Sequence, residues 1–441
     1  MELVDQIIKY TTLGVGILAG YQIVLLLIGL FFKARIWPET DVRSNFAVLI
    51  PARNEEKVIG NLIESIQKQN YPQAKITIFV IADNCQDKTA EITRKMGAVA
   101  YEHNDPTQQR RGYALDYGLQ CIKTDYATEA QPNGILAFDG YFMFDADNLL
   151  DPNFVLEMNK AFQNKKYGYF MSYIHSKNID TSFISSWSSK QAYVNNSATN
   201  RPTNIVRHSP RLRGPGGLVR AEYLSKGWLW PNITEDWDFS FHHISRGVRG
   251  AYVEAAQFYD EQANNLKILL RQRKRWEKGH IQVWLWYCPM LFWGMLWNRG
   301  LARRFSCYDQ LICGFPTGLL SLFMGFLYPL ATTIYNVVTG TSSWLTMATW
   351  VGTYFAIVYA QDFARSFVAI IRERKRIRCK TRKLFARMFF WPFIAIMLQY
   401  NTLVAYIIPI KWKVIPHTED KKIETMNKQS LIFERTNKKV D

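Results

Sequence analysis

The chain has 441 residues, 48% of them hydrophobic, and carries 54 Lys and Arg against 37 Asp and Glu, a net charge of +17. That length accommodates a full catalytic domain, and the apolar share exceeds what a soluble enzyme of this size requires, so the excess must be located along the chain. The positive charge concentrates beside apolar segments, where attraction to anionic lipid explains it and a nucleic-acid partner is set aside; the six cysteines show no C-x-x-C pair, which argues against a disulfide framework or a zinc site.

Residues 7–32 hold a single charge, Lys9, in an apolar run long enough to cross a bilayer as a helix. Glu2 and Asp5 precede it and Lys33, Arg35 and Arg43 follow, so the positive-inside bias predicts an uncleaved anchor over residues 1–33. The amino terminus would then lie outside, and the following chain in the cytoplasm.

From residue 34 to 283 the pattern changes. NFAVLI (45–50) and KITIFVIA (75–82) are continuous apolar runs, and between them Val58, Ile59, Leu62, Ile63 and Ile66 share one helical face. Apolar strands alternating with amphipathic helices predict an α/β domain with a mostly parallel sheet covered on both faces. Further strands are predicted at 98–101, 140–145 and 168–174, with helices at 88–96, 108–121 and 152–163. Beyond residue 283 come four apolar stretches, 284–297, 310–338, 344–371 and 384–410, separated by basic clusters. Charge parity predicts that 310–338 and 344–371 span, that 284–297 and 384–410 lie along the inner interface, and that residues 411–441 form a cytoplasmic tail. The expectation is a multi-pass membrane protein with a cytoplasmic catalytic domain. Asp309, Asp362 and Arg365, at or within apolar segments, could line a path.

Ligands of open α/β sheets bind beyond the carboxyl ends of the strands. Three polar clusters sit at such ends: PARNEE (51–56), DNCQDKT (83–89) and FDADN (144–148). No G-x-G-x-x-G or P-loop occurs, so a glycine cradle is not the phosphate-binding device. Asp145 and Asp147 form a D-x-D at the end of an apolar strand, where a hard cation such as Mg²⁺ or Mn²⁺ finds oxygen ligands; without the strand, the same pair reads as a solvated turn. Glu235 and Asp236 open a helix, where the helix dipole alone favours acids, and the alternative makes one of them a general base. Gln272, Arg275 and Trp276 share a helical face in the basic run RQRKRWEKGH (271–280), which reads either as an interfacial helix or as part of a site.

Taken together, Asp83, the Asp145/Asp147 pair, Thr234-Glu235-Asp236 and Gln272-x-x-Arg275-Trp276 resemble, in order and spacing, the membrane-embedded branch of the family 2 glycosyltransferases, which contains cellulose, hyaluronan, chitin and poly-N-acetylglucosamine synthases. GPGGLVR (214–220) is similar to that family's loop upstream of the acidic motif, and KWKVIPHTED (411–420), with Lys411 and Trp412, loosely to its gate. The resemblance implies a GT-A type domain set between transmembrane helices. It implies that Ala52, Arg53, Glu55 and Asp83 surround the uridine of a UDP-sugar, that Asp145 contacts the nucleotide and Asp147 a Mg²⁺ or Mn²⁺ ion, and that Asp236, with Glu235 beside it, is the catalytic base. Gln272, Arg275 and Trp276 would border the diphosphate and the acceptor sugar. The implied reaction is inverting transfer from UDP-glucose, UDP-N-acetylglucosamine or another UDP-sugar to a growing β-linked polysaccharide coupled to export, with a homo-oligomer or partner completing the path. The alternative is glycosylation of a membrane lipid, a diacylglycerol or a polyprenyl phosphate.

Overall fold

The computed structural model describes residues 20–315, 322–408 and 421–426, together with residues 6, 10, 11, 13, 14 and 16–18. At its centre is an eight-stranded sheet: β1 (Phe46–Ala52), β2 (Ile76–Asp83), β3 (Val99–His103), β4 (Gly140–Met143), β5 (Leu149–Leu150), β6 (Tyr169–Ser176), β7 (Gly217–Arg220) and β8 (Gly250–Asp260). Their spatial order is β3-β2-β1-β4-β7-β6-β8-β5.

Side chains alternate across a strand, and here both faces are buried. Phe46, Val48 and Ile50 of β1 join a core with Ile59, Leu62, Ile63 and Ile66 of helix Ile59–Gln67. Ala47 and Leu49 point the other way, into a core with Ala114, Leu115, Leu119 and Ile122 of helix Arg111–Asp125. The continuous apolar runs in the sequence follow from this double coverage.

The expected mostly parallel sheet is corrected to a mixed one. β3, β2, β1 and β4 are parallel neighbours, but β7 pairs antiparallel with both β4 and β6, and β5 pairs antiparallel with β8. The four-residue β7, which follows the turn residues Gly214, Pro215 and Gly216, is too short to announce itself. Its entry depends on Gly216, at φ 79°, where an added Cβ would lie 2.3 Å from the Phe258 ring and 2.4 Å from Ser172 Oγ.

A single helix, Leu266–Trp297, carries both RQRKRWEKGH and the apolar stretch 284–297, so the boundary expected at residue 283 falls inside it. The Asn265 side chain caps its start by accepting from the Lys267 N–H at 2.8 Å. Its close approach to the acidic helix Glu235–Ser245 requires Gly279, where a Cβ would meet the Thr234 side chain at 2.6 Å. Trp286, Met290, Trp293 and Trp297 lie on one exposed face of its second half.

Among the described residues one helix, Trp344–Glu373, is long and apolar enough to cross a bilayer. The pair Arg382–Met388 and Trp391–Ile407, bent by 44°, adds a second if it counts as one span. The stretch expected to span over 310–338 contains the end of helix Leu301–Gly314, a π-helical turn Phe323–Leu327 and helix Tyr328–Val338; residues 316–321 lie outside the described residues. So do Lys411 and Trp412 and most of the expected tail. Residues 421–426 return to the sheet, where Ile423 and Met426 pack on Leu149 and Tyr259.

Three polar contacts, at Glu373 and Asp362, fix the apolar helix Trp344–Glu373 to the α/β domain. Arg201 bonds Glu254 of β8 at 2.7 Å and Glu373 at 2.6 Å, and the Tyr173 hydroxyl donates to Glu373 at 2.8 Å. Lys190, on helix Phe183–Val194, donates to Asp362 at 2.6 Å. Asp362 is thus matched by a cation of the α/β domain, as Asp309 is by the Tyr21 hydroxyl at 2.7 Å.

Candidate active site

A cavity of about 410 Å³ opens at the carboxyl ends of β1, β2 and β4 and runs toward the first half of helix Leu266–Trp297. Its lining includes Ala52, Arg53, Glu55, Asp83, Asp145, Asp147, Glu235, Asp236, Gln272, Arg275 and Trp276, so the nucleotide, metal, base and acceptor residues expected from the sequence meet around one space, whereas Asp309, Asp362 and Arg365 lie outside it. They come from strand ends, one helix start and one helix face, as a parallel half-sheet with a covering helix dictates.

The strand side is tightly bonded. After β1 the chain turns through Asn54 at φ 58°, whose side-chain carbonyl accepts from the Gln86 N–H at 2.8 Å and ties the first loop to the second. The Cys85 thiol reaches the Ala52 carbonyl at 3.4 Å, and the Glu55 N–H donates to Thr89 Oγ1 at 2.9 Å. Asp83 accepts from His103 Nδ1 and from the Asn84 side-chain amide, both at 2.8 Å. Asp147 is 2% exposed and accepts from the Glu261 N–H at 3.0 Å and the Asn148 amide at 3.3 Å.

Asp145 and Glu235 share a residue that the sequence did not mark. Arg111 Nε donates to Asp145 at 2.8 Å, while another of its nitrogens donates to Glu235 at 2.6 Å. These partners lie 34 and 124 residues away in sequence, and the segment around Arg111 offers no carboxylate spacing to reveal them. Burial pushes the Asp145 carboxyl above its usual range, against the opposing pull of Arg111.

Asp236 stands apart from that clamp. Its two carboxylate oxygens accept from the Gly214 N–H at 2.6 Å and its neighbour Trp237's N–H at 2.9 Å. Burial, followed by the charge of Glu235, pushes its carboxyl up to about 7. That range suits a group that must take a proton near neutral pH.

On the helical side, Arg275 presents a buried Nε without a hydrogen-bond partner, and burial holds its guanidinium below the ordinary range. Trp276 packs under the Arg273 guanidinium, 4.4 Å from the ring centroid. Lys278, on the same helix, donates to the Tyr406 carbonyl at 3.2 Å. His242 and His243 lie outside the cavity lining.

For a divalent cation, no group of three or more His, Cys, Asp or Glu side chains converges among the described residues. Mg²⁺-type ions commonly use one or two carboxylates and complete their shell with substrate phosphates and water. Asp147, buried at the cavity wall, fits that sparser donor set.

A mixed α/β sheet with carboxylates along its strand-end rim and a covering basic helix defines a GT-A-like glycosyltransferase domain. The chain belongs to the glycosyltransferase-like family 2, whose model matches residues 43–279. It is 25% identical over 270 residues to a β-monoglucosyldiacylglycerol synthase of Trichormus variabilis, covering 60% of this chain and 54% of that protein. It is 23% identical over 294 residues to the UDP-forming cellulose synthase catalytic subunit of Pseudomonas fluorescens, covering 64% of this chain and 36% of that one. The chain thus spans about half the length, or less, of these curated relatives. A solved mannosyltransferase of Pyrobaculum calidifontis, in complex with GDP-Man and Mn²⁺, aligns with a TM-score of 0.47 at 13% identity, covering 82% of this chain and 98% of its own.

Proposed function

We propose that this protein transfers a sugar from a UDP-sugar to a hydroxyl of a membrane lipid, with inversion at the anomeric carbon. The observation that carries this reading is the gathering, around one cavity, of a carboxylate rim at Asp83, Asp145 and Asp147, a separate carboxylate at Asp236, and an unpaired cation at Arg275.

The uridine lies along Ala52, Arg53, Glu55 and Asp83, and Asp145 contacts the nucleotide. A divalent cation held by Asp147 neutralises charge on the diphosphate when bound. An acceptor hydroxyl is a poor nucleophile, so Asp236 takes its proton as the oxygen attacks the anomeric carbon opposite the departing UDP. Arg275 meets the charge that develops on the leaving diphosphate, in a partly buried site where such a contact counts for more than in water. Glu235, clamped by Arg111, fixes the start of the acidic helix and keeps Asp236 basic. A single in-line displacement then yields a β-linkage from an α-linked donor.

The lipid acceptor is favoured by the relatives named for glucosyldiacylglycerol synthesis and by the exposed Trp286, Trp293 and Trp297 face continuous with the active-site helix. A second reading, extension and export of a β-linked polysaccharide, has support in the cellulose synthase relative and in the Gln272-x-x-Arg275-Trp276 motif. Under it, a second copy or an export partner completes the path.

The test is incubation of membranes holding the protein with radiolabelled UDP-sugars and Mg²⁺ or Mn²⁺, against an Asp236→Asn control. Label in the lipid extract supports the first reading and names the sugar. Label confined to immobile polymer overturns it in favour of the second.

A further inference from the structure

The cavity has a cationic end that the donor does not account for. Arg213 and Arg273 both line it, both have a buried Nε with no hydrogen-bond partner, and neither forms an ion pair among the described residues. Arg211, beside them, is 7% exposed with one of its terminal nitrogens likewise unpartnered. Aromatic faces hold Arg211 and Arg273 instead of carboxylates. Trp237 lies between the Arg211 guanidinium, 4.3 Å from its centroid, and the His280 ring, stacked at 3.6 Å. Arg273 lies 5.4 Å from the Trp187 centroid as well as over Trp276. Burial, then the charges of Arg211, Arg213 and Arg273, hold the His280 imidazole well below its usual range, which sets three guanidiniums around one neutral ring.

Three other buried arginines have protein partners for most of their nitrogens. Arg201 has Glu254 and Glu373, Arg111 has Asp145 and Glu235, and Arg220 has the main-chain carbonyls of Tyr167 and Asn164. The carboxylates near the cationic end do not perform that service. Asp309 is occupied by Tyr21 and, at 2.9 Å, by the Gln310 amide; Asp236 is held by main-chain N–H groups; Glu277 acts on Arg273 without a hydrogen bond to it; and Asp362 is taken up by Lys190. An unpaired buried guanidinium costs several kcal/mol, of the order found when one partner of a buried pair is removed. A site that retains two of them is built for an anion.

The position of that anion follows from the chain. Gly214 gives its N–H to Asp236, and Arg213 precedes it by one residue, about 3.8 Å from Cα to Cα. Arg213 also feels the charge of Asp236, so a negative group bound by Arg213 shares the cavity with the hydroxyl that Asp236 deprotonates. We infer that the acceptor is an anionic lipid whose headgroup phosphate lies a few bonds from its reactive hydroxyl, and that Arg213, assisted by Arg273, is the subsite that selects it. The inference rests on the reading of Asp236 as the base toward a lipid hydroxyl.

The experiment uses the full chain in vesicles, a UDP-sugar that the membrane assay has identified, and three acceptors. Phosphatidylglycerol offers a hydroxyl and a phosphate on a lipid, diacylglycerol the hydroxyl alone, and glycerol 3-phosphate the headgroup without the lipid. We expect kcat/KM for phosphatidylglycerol to exceed that for diacylglycerol by roughly 10-fold or more, as charge-assisted hydrogen bonds produce. Arg213→Gln should raise the phosphatidylglycerol KM by a similar factor, with donor KM moving less than about twofold, and Arg213→Lys should recover part of the loss. Both variants are checked by thermal midpoint and UDP binding, so a folding defect shows as loss of both. Equal use of diacylglycerol, or a donor KM that rises with the acceptor KM, overturns the subsite. Glycerol 3-phosphate used as well as phosphatidylglycerol overturns the lipid as the source of the anion. Transfer to none of the three, with UDP bound normally, overturns the inference, whereas absence of label from the lipid extract of the membrane assay overturns the lipid-acceptor reading itself.

Discussion

On the strand side of the cavity the carboxylates are held by hydrogen bonds, Asp83 by His103 and Asn84, Asp145 by Arg111, Asp147 by Glu261 and Asn148, whereas on the helical side Arg213, Arg273 and Arg275 each keep a buried nitrogen unsatisfied. The rim carboxylates are hydrogen-bonded by the fold itself, while Arg111 keeps one buried nitrogen without a partner. The helical wall lacks counter-charges that substrates bring. Buried polar groups are normally paired, and groups left unpaired mark where a protein expects a ligand. Asp236 lies at the junction, fixed by main-chain N–H groups but in an ion pair with no cation among the described residues.

The sharpest way to break this comparison is at that junction. Asp236→Asn removes the proton acceptor while leaving a nearly isosteric side chain, and kcat should fall by about 10²–10⁴-fold with donor KM little changed. A donor KM that rises instead would move Asp236 from the reaction to nucleotide binding. In the wild type, the acid limb of kcat should titrate near the value of about 7 to which the carboxyl is pushed, since the base must be ionised. Steady-state rates from pH 5 to 9 check this.

A matched arginine gives the reference for the unmatched ones. Arg201, 2% exposed, is bonded to Glu254 and Glu373, and Arg201→Met leaves those two carboxylates facing each other with only Arg376 between them. The expected cost is about 3–5 kcal/mol in chemical unfolding. Arg275→Met should show the reverse pattern: no loss of stability, because no protein partner is orphaned, but about 10²–10³-fold lower kcat if the guanidinium meets charge only as UDP departs. Two similar losses of stability would erase the distinction between the walls.

Much of the catalytic half was legible from residue pattern because parallel strands buried on both faces read as unbroken apolar runs. The segments expected at 140–145 and 168–174 appear as β4 and β6 within a few residues. β7 was not legible: its four residues, Gly217–Arg220, join the sheet through long-range antiparallel pairs and a glycine turn rather than through a local period. The site divides the same way. Asp145, Asp147 and the 235–236 acids stand out because strand ends and helix starts have local signatures, whereas Arg111 and Arg213 matter through partners, or missing partners, that only the folded chain brings near. The apolar periphery was the least legible part, since composition marks an apolar stretch without saying whether it spans, bends or packs.

The smallest predicted effect is the most specific to Asp236, because it separates charge from chemistry. Its folded-state carboxyl is pushed from 3.8 up to about 7, so between those values the native chain binds a proton that the unfolded chain has released. The resulting stabilisation is fully present below pH 3.8 and is lost as pH rises through about 7. Asn at this position is neutral throughout and should not suffer that loss. Its amide, however, cannot accept from both the Gly214 and Trp237 N–H groups as the carboxylate does, which imposes a deficit at every pH. The informative quantity is therefore the difference in melting temperature between Asp236→Asn and wild type, compared at pH 5 and pH 8 without cation or nucleotide. The carboxylate is only partly buried, so solvent screening reduces the expected change to about 1 kcal/mol, or roughly 1 °C in favour of Asn at the higher pH for a chain this long. A difference that stays constant with pH would mean that Asp236 already titrates as an ordinary carboxylate, and the case for a base poised near neutrality would have to rest on its position alone.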